Sequence, residues 1–342
     1  MIPATNPDRL LTRYSSALQF FLSAAWLMIA FTLGPGIGLF LAARLSPMYT
    51  ALVQQLVVLL LLLMGFSLLG RSAGLRHSIR GMGWVQRKTV PQEFGRGFAL
   101  AWTMVALGVL PLVFVRGLHP VFDWSASAWN RVAVGIAVAA VSALAIETGL
   151  RGYPFQRLCE SIGKAWASVV MAVLFALFQM QAPHTTAISF CYTFFAGILL
   201  ATAYLRTRGL WLPWGIHFGS VVSMGVLLGL PVSGGAEYAS VVQSSADGPI
   251  WLTGGLYGPE GALFAVLVLL GGFAILLRMT REYDWNYNFH PIVGAGHPMD
   301  VAPPAEHTRM EEDAAKKPAP LVQILPITPQ GFSETNSSIP PK

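Results

Sequence analysis

Eight long apolar runs divide this chain, and they constrain its fold more than any other feature. A helix needs about 20 consecutive apolar residues to cross the hydrocarbon core of a bilayer. Runs of about this length lie near 17–43, 50–70, 97–115, 132–150, 165–182, 187–205, 209–230 and 260–278. Because backbone polar groups in lipid must find partners within the chain, the runs predict an all-α, polytopic transmembrane helix bundle of about eight spans.

The composition favours a membrane protein over soluble classes. Of the 342 residues, 54% are hydrophobic and only 11% are charged, which is too little charged surface for a soluble protein of this length. The net charge of +6 does not indicate nucleic-acid binding, since the basic residues lie between apolar runs rather than in one patch. Cys159 and Cys191 form no metal-binding or disulfide pattern. The expected partner is therefore the lipid bilayer.

The basic residues also predict an orientation. With both ends in the cytoplasm, the eight-span arrangement places 19 of the 22 Lys and Arg residues on the inner side, and only Arg44, Arg116 and Arg131 on the outer side. Cytoplasmic loops of membrane proteins are enriched in Lys and Arg. We therefore expect a multi-pass protein of the plasma membrane with cytoplasmic termini.

Loop composition divides the chain into three regions. Residues 1–130 form an N-terminal membrane region of three spans, which includes a basic cytoplasmic loop at 71–96. Residues 131–280 form a second membrane domain of five spans. Residues 281–342 are dominated by Pro, charged and small residues from about Pro291 onward, which predicts a disordered cytoplasmic tail.

Polar side chains within the apolar runs are the candidate functional residues, since a charge at the bilayer centre costs roughly 2.5–3.5 kcal/mol on insertion scales. Glu147 and Arg151 share one face of the fourth span at i, i+4 spacing and can pair as they reach the interface. Gln179 belongs to the fifth span and His217 to the seventh. Facing one cavity, they would supply a carboxylate, an amide and an imidazole.

Each of these residues also has a purely structural interpretation. Glu147 and Arg151 could be an ion pair that anchors a helix end. His217 could be a neutral histidine bonded to a backbone carbonyl, and Gln179 could join two helices by a hydrogen bond.

Two further polar residues lie outside the apolar runs or at their edges. His184 follows Pro183 in a short outer turn, where a solvated loop residue is expected. Glu260 begins the last run, where a carboxylate in a first helical turn is the simpler account.

Several short motifs follow one another in the second half of the chain. They lie at Glu147 to Leu158, Leu174 to Leu177, Phe194 to Gly197, Tyr204 to Phe218, Gly229 to Gly234 and Gly258 to Gly261. In these motifs, over about 132–278, the chain resembles the CAAX protease and bacteriocin-processing (CPBP or Abi) family of intramembrane endopeptidases. The resemblance implies that 131–280 is a CPBP-like intramembrane protease domain whose partners are transmembrane or lipidated peptides or proteins.

The chain departs from the family pattern at three places. That pattern has two adjacent glutamates before the arginine, a histidine four residues after a phenylalanine, and a later histidine followed four residues on by Asn or Asp. The corresponding positions here are Ile146 and Glu147, then Gln179, then His217 and Val221. The first glutamate is the one usually assigned to activate water, and Ile146 can neither accept a proton nor donate a hydrogen bond.

These departures bear on cofactors as well. A catalytic zinc ion needs about three protein ligands, and one histidine with one paired glutamate is too few. We therefore predict no metal and no cofactor.

Two functions remain open. A non-catalytic relative would bind a membrane peptide or protein in its cavity, or act as a scaffold, and the apolar Ile146 and Val221 favour this function. An active intramembrane endopeptidase would need a rearranged site. That site would contain Glu147, Gln179 and His217, with Arg151 and His184 in supporting positions.

Overall fold

Helices make up most of the chain. The computed structural model describes residues 7–72, 82–235 and 241–283, with side chains described from residue 15 onward. Ten α-helices lie in these ranges: α1 (Pro7–Ala42), α2 (Thr50–Ser72), α3 (Val90–Phe114), α4 (Ala126–Arg151), α5 (Tyr153–Ile162), α6 (Lys164–Gln179), α7 (Ala187–Thr207), α8 (Trp211–Val221), α9 (Ile250–Thr253) and α10 (Leu263–Met279). Each of the eight apolar runs coincides with one of these helices, which confirms the all-α prediction.

Length and hydropathy identify a multi-pass membrane protein. Within the described residues, five segments are long and apolar enough to cross a membrane: Ser15–Ala42, Pro47–Ser72, Val90–Phe114, Ala126–Ile162 and Ala187–Thr207. Helices α6 and α10 are apolar but shorter, and α8 continues directly into a π-helix at Val222–Leu227. The count of eight spans therefore stays a prediction.

One feature of the fold is not helical. Strand β1 (Leu118–Phe122) pairs antiparallel with β2 (Val242–Ala246), with Leu118 opposite Ala246 and Phe122 opposite Val242. The two strands come from loops that were predicted to lie on the same outer side. Their pairing was not predicted, because short strands far apart in sequence leave no hairpin signal.

Glycines allow some helices to approach very closely. A Cβ on Gly97 of α3 would lie 2.5 Å from the Leu212 carbonyl oxygen of α8, and one on Gly215 of α8 would lie 2.3 Å from the Phe94 carbonyl oxygen. Small residues at such crossings are how membrane helices pack without a hydrophobic driving force. The contact holds α3, from the first predicted region, against α8, from the second.

A helix cap, a glycine and an interhelical hydrogen bond determine where the helices that carry the site begin, end and pack. The Ser125 hydroxyl caps α4 by accepting from the Ala128 amide, and the chain leaves α4 at Gly152, where a Cβ would lie 2.2 Å from the Thr148 carbonyl oxygen. The Trp214 indole of α8 donates to the Ala140 carbonyl of α4 at 2.9 Å. This bond fixes the position of α8 along the axis of α4.

The predicted cytoplasmic loop at 71–96 is described only in part. Within it, the Arg87 guanidinium contacts Glu93 at 2.6 Å and donates to the Thr207 carbonyl at the end of α7. The tail at 281–342 lies outside the described residues apart from 281–283. The domain boundary at 130 and 131 stays a prediction.

Candidate functional site

The centre of the site is a buried cluster on α4 and α8, called here the Glu147 triad and made of Glu147, Arg151 and His217. Glu147 has no exposed surface, and Arg151 is only 1% exposed. Glu147 Oε1 lies 3.1 Å from Arg151 Nη1 and 2.8 Å from His217 Nδ1. The predicted i, i+4 pair is present, and it is buried within the bundle, where His217 of α8 contacts it. Its position at the membrane interface stays a prediction.

Arg151 is held by two further elements of the fold. Its Nη2 donates to the Gly197 carbonyl of α7 at 3.4 Å. Its Cζ lies 4.9 Å from the ring centroid of Phe175 on α6, in a cation–π contact. The guanidinium therefore links α4, α6 and α7, which is the structural role expected of an ion pair inside a helical bundle.

His217 bonds to a carboxylate rather than to a backbone carbonyl. With Glu147 ionised, Nδ1–H is the donor, and this bond fixes both the tautomer and the ring orientation. The ring also makes an edge contact with Phe175, with centroids 6.3 Å apart. Because Nδ1 is bonded to the Glu147 carboxylate, Nε2 is the ring nitrogen that can contact a ligand.

A cavity of about 480 Å³ lies beside the triad, in the middle of the bundle. Its wall takes residues from α1, α2, α3, α4, α6, α7, α8 and α10. Four family-motif positions line it, namely Ile146, Gln179, His217 and Val221. Glu147 and Arg151 are not among the lining residues, so of the triad only His217 faces a ligand.

The two residues predicted at the outer end of α6 have different positions. Gln179 lines the cavity one turn after Phe175, as its position in the pattern implies, and its side chain interacts with that of Tyr257. His184 is exposed in the following turn, with φ of 60°, and is not among the lining residues. The structure therefore does not bring His184 to the site.

Glu260 belongs to the cavity wall, which the sequence did not predict. It lies in a short 3-10 turn, Pro259–Gly261, before α10 begins, and so it does not belong to the first turn of α10. Its side chain is 8% exposed, and Oε2 accepts from the Ser233 amide at 3.1 Å and from the Ser233 hydroxyl at 2.9 Å. One signal was available: the loop at 231–259 before it contains no Lys or Arg.

The polar groups of the cavity can bind and orient a ligand. His217 offers an imidazole, Gln179 an amide and Glu260 a carboxylate. Across the described ranges, no three His, Cys, Asp or Glu side chains are grouped so that they could hold a metal ion.

Comparison with known proteins agrees with the motifs. Residues 128–223 match the profile of the type II CAAX prenyl endopeptidase Rce1-like family. The matched segment contains Glu147, Gln179 and His217, and it ends before Glu260. No curated protein and no solved structure matches the chain. Together with the apolar helices, the match supports an integral membrane protein that is similar to CAAX proteases over residues 128–223.

Proposed function

We propose that this protein is a non-catalytic relative of the CAAX proteases, which binds a transmembrane or lipidated peptide or protein in its central cavity. The supporting observation is the wall of that cavity. Ile146 and Val221, which stand where the family pattern has a carboxylate and an Asn or Asp, both line it with apolar side chains. A cavity of 480 Å³ is large enough for several side chains of a bound segment.

The position of Glu147 also supports binding without cleavage. Peptide hydrolysis needs a base that takes a proton from water, and this contributes roughly 10²–10⁴-fold to the rate. Glu147 is fully buried, outside the cavity wall, and its Oε1 is already engaged by Arg151 and His217. Its other oxygen, Oε2, is also buried, so the carboxylate would have to move to meet a water beside a peptide in the cavity.

A second function is favoured by one contact, the 2.8 Å bond between His217 Nδ1 and Glu147. A histidine oriented by a carboxylate can act as the base itself. His217 Nε2 would take a proton from water, and the water oxygen would attack the peptide carbonyl carbon. Gln179 would donate to the oxyanion, and the imidazolium would return the proton to the leaving amine as the C–N bond breaks.

New protein N-termini distinguish these two functions. They are to be compared in membranes of cells that make the wild type, the Glu147→Ala plus His217→Ala double variant, or neither. We expect identical termini for the wild type and the double variant at equal expression. Termini that appear only with the wild type would establish an endopeptidase and overturn the non-catalytic proposal.

Binding has its own test, based on photo-crosslinking from two phenylalanine positions. Phe178 lines the cavity, whereas Phe195 is 37% exposed and is not among the lining residues. With p-benzoylphenylalanine at one position or the other, we expect a discrete protein or peptide adduct from position 178 and none from position 195. Adducts of lipid alone at both positions would contradict the proposal.

We also propose that the protein lies in the plasma membrane with both termini in the cytoplasm, as the distribution of Lys and Arg indicates. Reporter fusions at either end test this. We expect a cytoplasm-dependent reporter to be active at both ends, and a reporter active only outside the cytoplasm at either end would refute the orientation.

A further inference from the structure

Among the described residues, one carboxylate of the cavity wall, Glu260, is only 8% exposed and has no Lys or Arg partner. No Lys or Arg lines the cavity either. The one basic side chain among the lining residues is His217, which is bonded to Glu147 and also interacts electrostatically with Glu260.

The fold holds this carboxylate in place from one side. Both hydrogen bonds from Ser233 go to Oε2, and in the described part of the chain Oε1 accepts none. The backbone around Glu260 is built for this position. Gly258 has φ of 101°, and a Cβ there would lie 2.2 Å from the Pro231 carbonyl oxygen. The turn that carries Glu260 is thus packed directly against the loop that carries Ser233.

Neutral hydrogen-bonding groups surround the carboxylate. Tyr192 and Thr193 line the cavity with Glu260, and the hydroxyl of Tyr257 interacts with Ser233, Thr193 and Gln179. An ammonium group has three donors and no acceptor. Carboxylate, amide and hydroxyl oxygens on one wall can satisfy all three, and aromatic rings nearby favour a cation.

The rest of the wall is apolar. Side chains of Phe31, Met104, Ile146, Phe178, Ile216 and Leu269 line it. A ligand that fits such a wall has apolar groups around a single cationic one. This is the chemistry of a membrane-spanning peptide whose apolar sequence is interrupted by one lysine.

From these observations, and resting on the proposed binding function, we propose that Glu260 and Ser233 form the receptor for a protonated amine of the bound membrane peptide. A buried carboxylate is costly unless it is paired, so a cationic ligand gains affinity that an apolar ligand of the same shape cannot. The preferred ligands are therefore apolar segments that carry one lysine at the depth of Glu260.

The test uses the full-length protein in bilayers free of lipids with primary amines. The probes are two fluorescent, N-acetylated transmembrane peptides that differ only by a central lysine or norleucine. We expect the wild type to bind the lysine peptide about tenfold tighter or more. Glu260→Gln should reduce this preference to within about twofold, and measurable binding of the norleucine peptide to this variant tests whether the cavity is intact.

The matched control is Glu282→Gln, the same substitution at an exposed position beyond α10. It should keep the full lysine preference. Equal affinity of the wild type for the two peptides, or a preference that persists in Glu260→Gln, would overturn the amine receptor while leaving peptide binding in place. If neither peptide binds, the proposed function fails together with the receptor.

Two further arms identify the source of the amine. A norleucine peptide with a free N-terminus tests whether an α-amino group can replace the lysine side chain, and weak binding of this peptide is expected. Bilayers that contain phosphatidylethanolamine test a lipid headgroup as the occupant. If this lipid abolishes the lysine preference, the receptor binds a lipid amine and the peptide assignment is wrong.

Discussion

The Glu147 triad predicts that loss of its carboxylate destabilises the fold more than loss of its guanidinium. Removing one partner of a buried ion pair costs about 3–5 kcal/mol, because the other charge stays buried and uncompensated. Glu147 has two partners, at 3.1 Å in Arg151 and at 2.8 Å in His217, whereas the described salt bridge of Arg151 is with Glu147 alone. We expect Glu147→Gln to cost about 4–5 kcal/mol and Arg151→Met about 3 kcal/mol, since the bond between His217 and the carboxylate remains when Arg151 is replaced.

Equilibrium unfolding in mixed detergent micelles, followed by circular dichroism, measures these free energies. The double variant is informative because it removes both charges at once. Its cost should fall below the sum of the two single costs by about 2 kcal/mol.

The matched control is Glu160→Gln on α5. Glu160 also pairs with an arginine, Arg157, at 2.7 Å, but its side chain is 43% exposed. Exposed pairs contribute about 0–1 kcal/mol, so the control should cost less than about 1 kcal/mol. If Glu147→Gln costs no more than Glu160→Gln, the buried pair does not stabilise the bundle, and the reasoning from burial is refuted.

Two other predictions follow from the packing and the cavity. Gly97→Ala should destabilise the protein by about 1–3 kcal/mol because its Cβ would meet the backbone of α8, whereas Gly95→Ala, on the same helix with open space around it, should be neutral or slightly stabilising in the same unfolding assay. The triple variant Ile146→Glu, Gln179→His and Val221→Asn should cleave a transmembrane reporter peptide that the wild type leaves intact. A folded triple variant without activity would contradict the assignment of these cavity positions.

The helices could be predicted because their signal is local. Each apolar run is long enough to identify a membrane helix by itself, and all eight coincide with helices of the structure. The pairing of β1 with β2 could not be predicted, because strand β1 ends at Phe122 and its partner β2 begins at Val242. Nothing in either five-residue segment encodes the other.

The site could be predicted only in part, for a similar reason. The spacing of Glu147 and Arg151 predicted their pair, since both lie on one helix. Burial of that pair depends on α8, which the spacing does not describe. Glu260 was missed because its role depends on a distant loop residue, Ser233, and on a turn that holds it outside α10.

The geometry separates Glu147 and Arg151 from the other family-motif positions. Glu147 and Arg151 match the pattern and are bonded to each other outside the cavity wall, whereas His217, which also matches it, is bonded to Glu147 and lines the cavity. The positions that depart from the pattern, Ile146, Gln179 and Val221, all line the cavity.

This arrangement explains how the chain can resemble the family while its cavity wall departs from the family pattern. Replacing any one member of the triad strands a buried polar partner, so the triad is tied to the fold whatever the cavity does. Ile146 and Val221 on the cavity wall have apolar side chains, so replacing them leaves no hydrogen-bond partner behind. The resemblance to the family therefore concerns mainly how the helices pack around the triad. The ligand specificity of the cavity is to be sought among the wall residues outside the matched segment, above all Glu260.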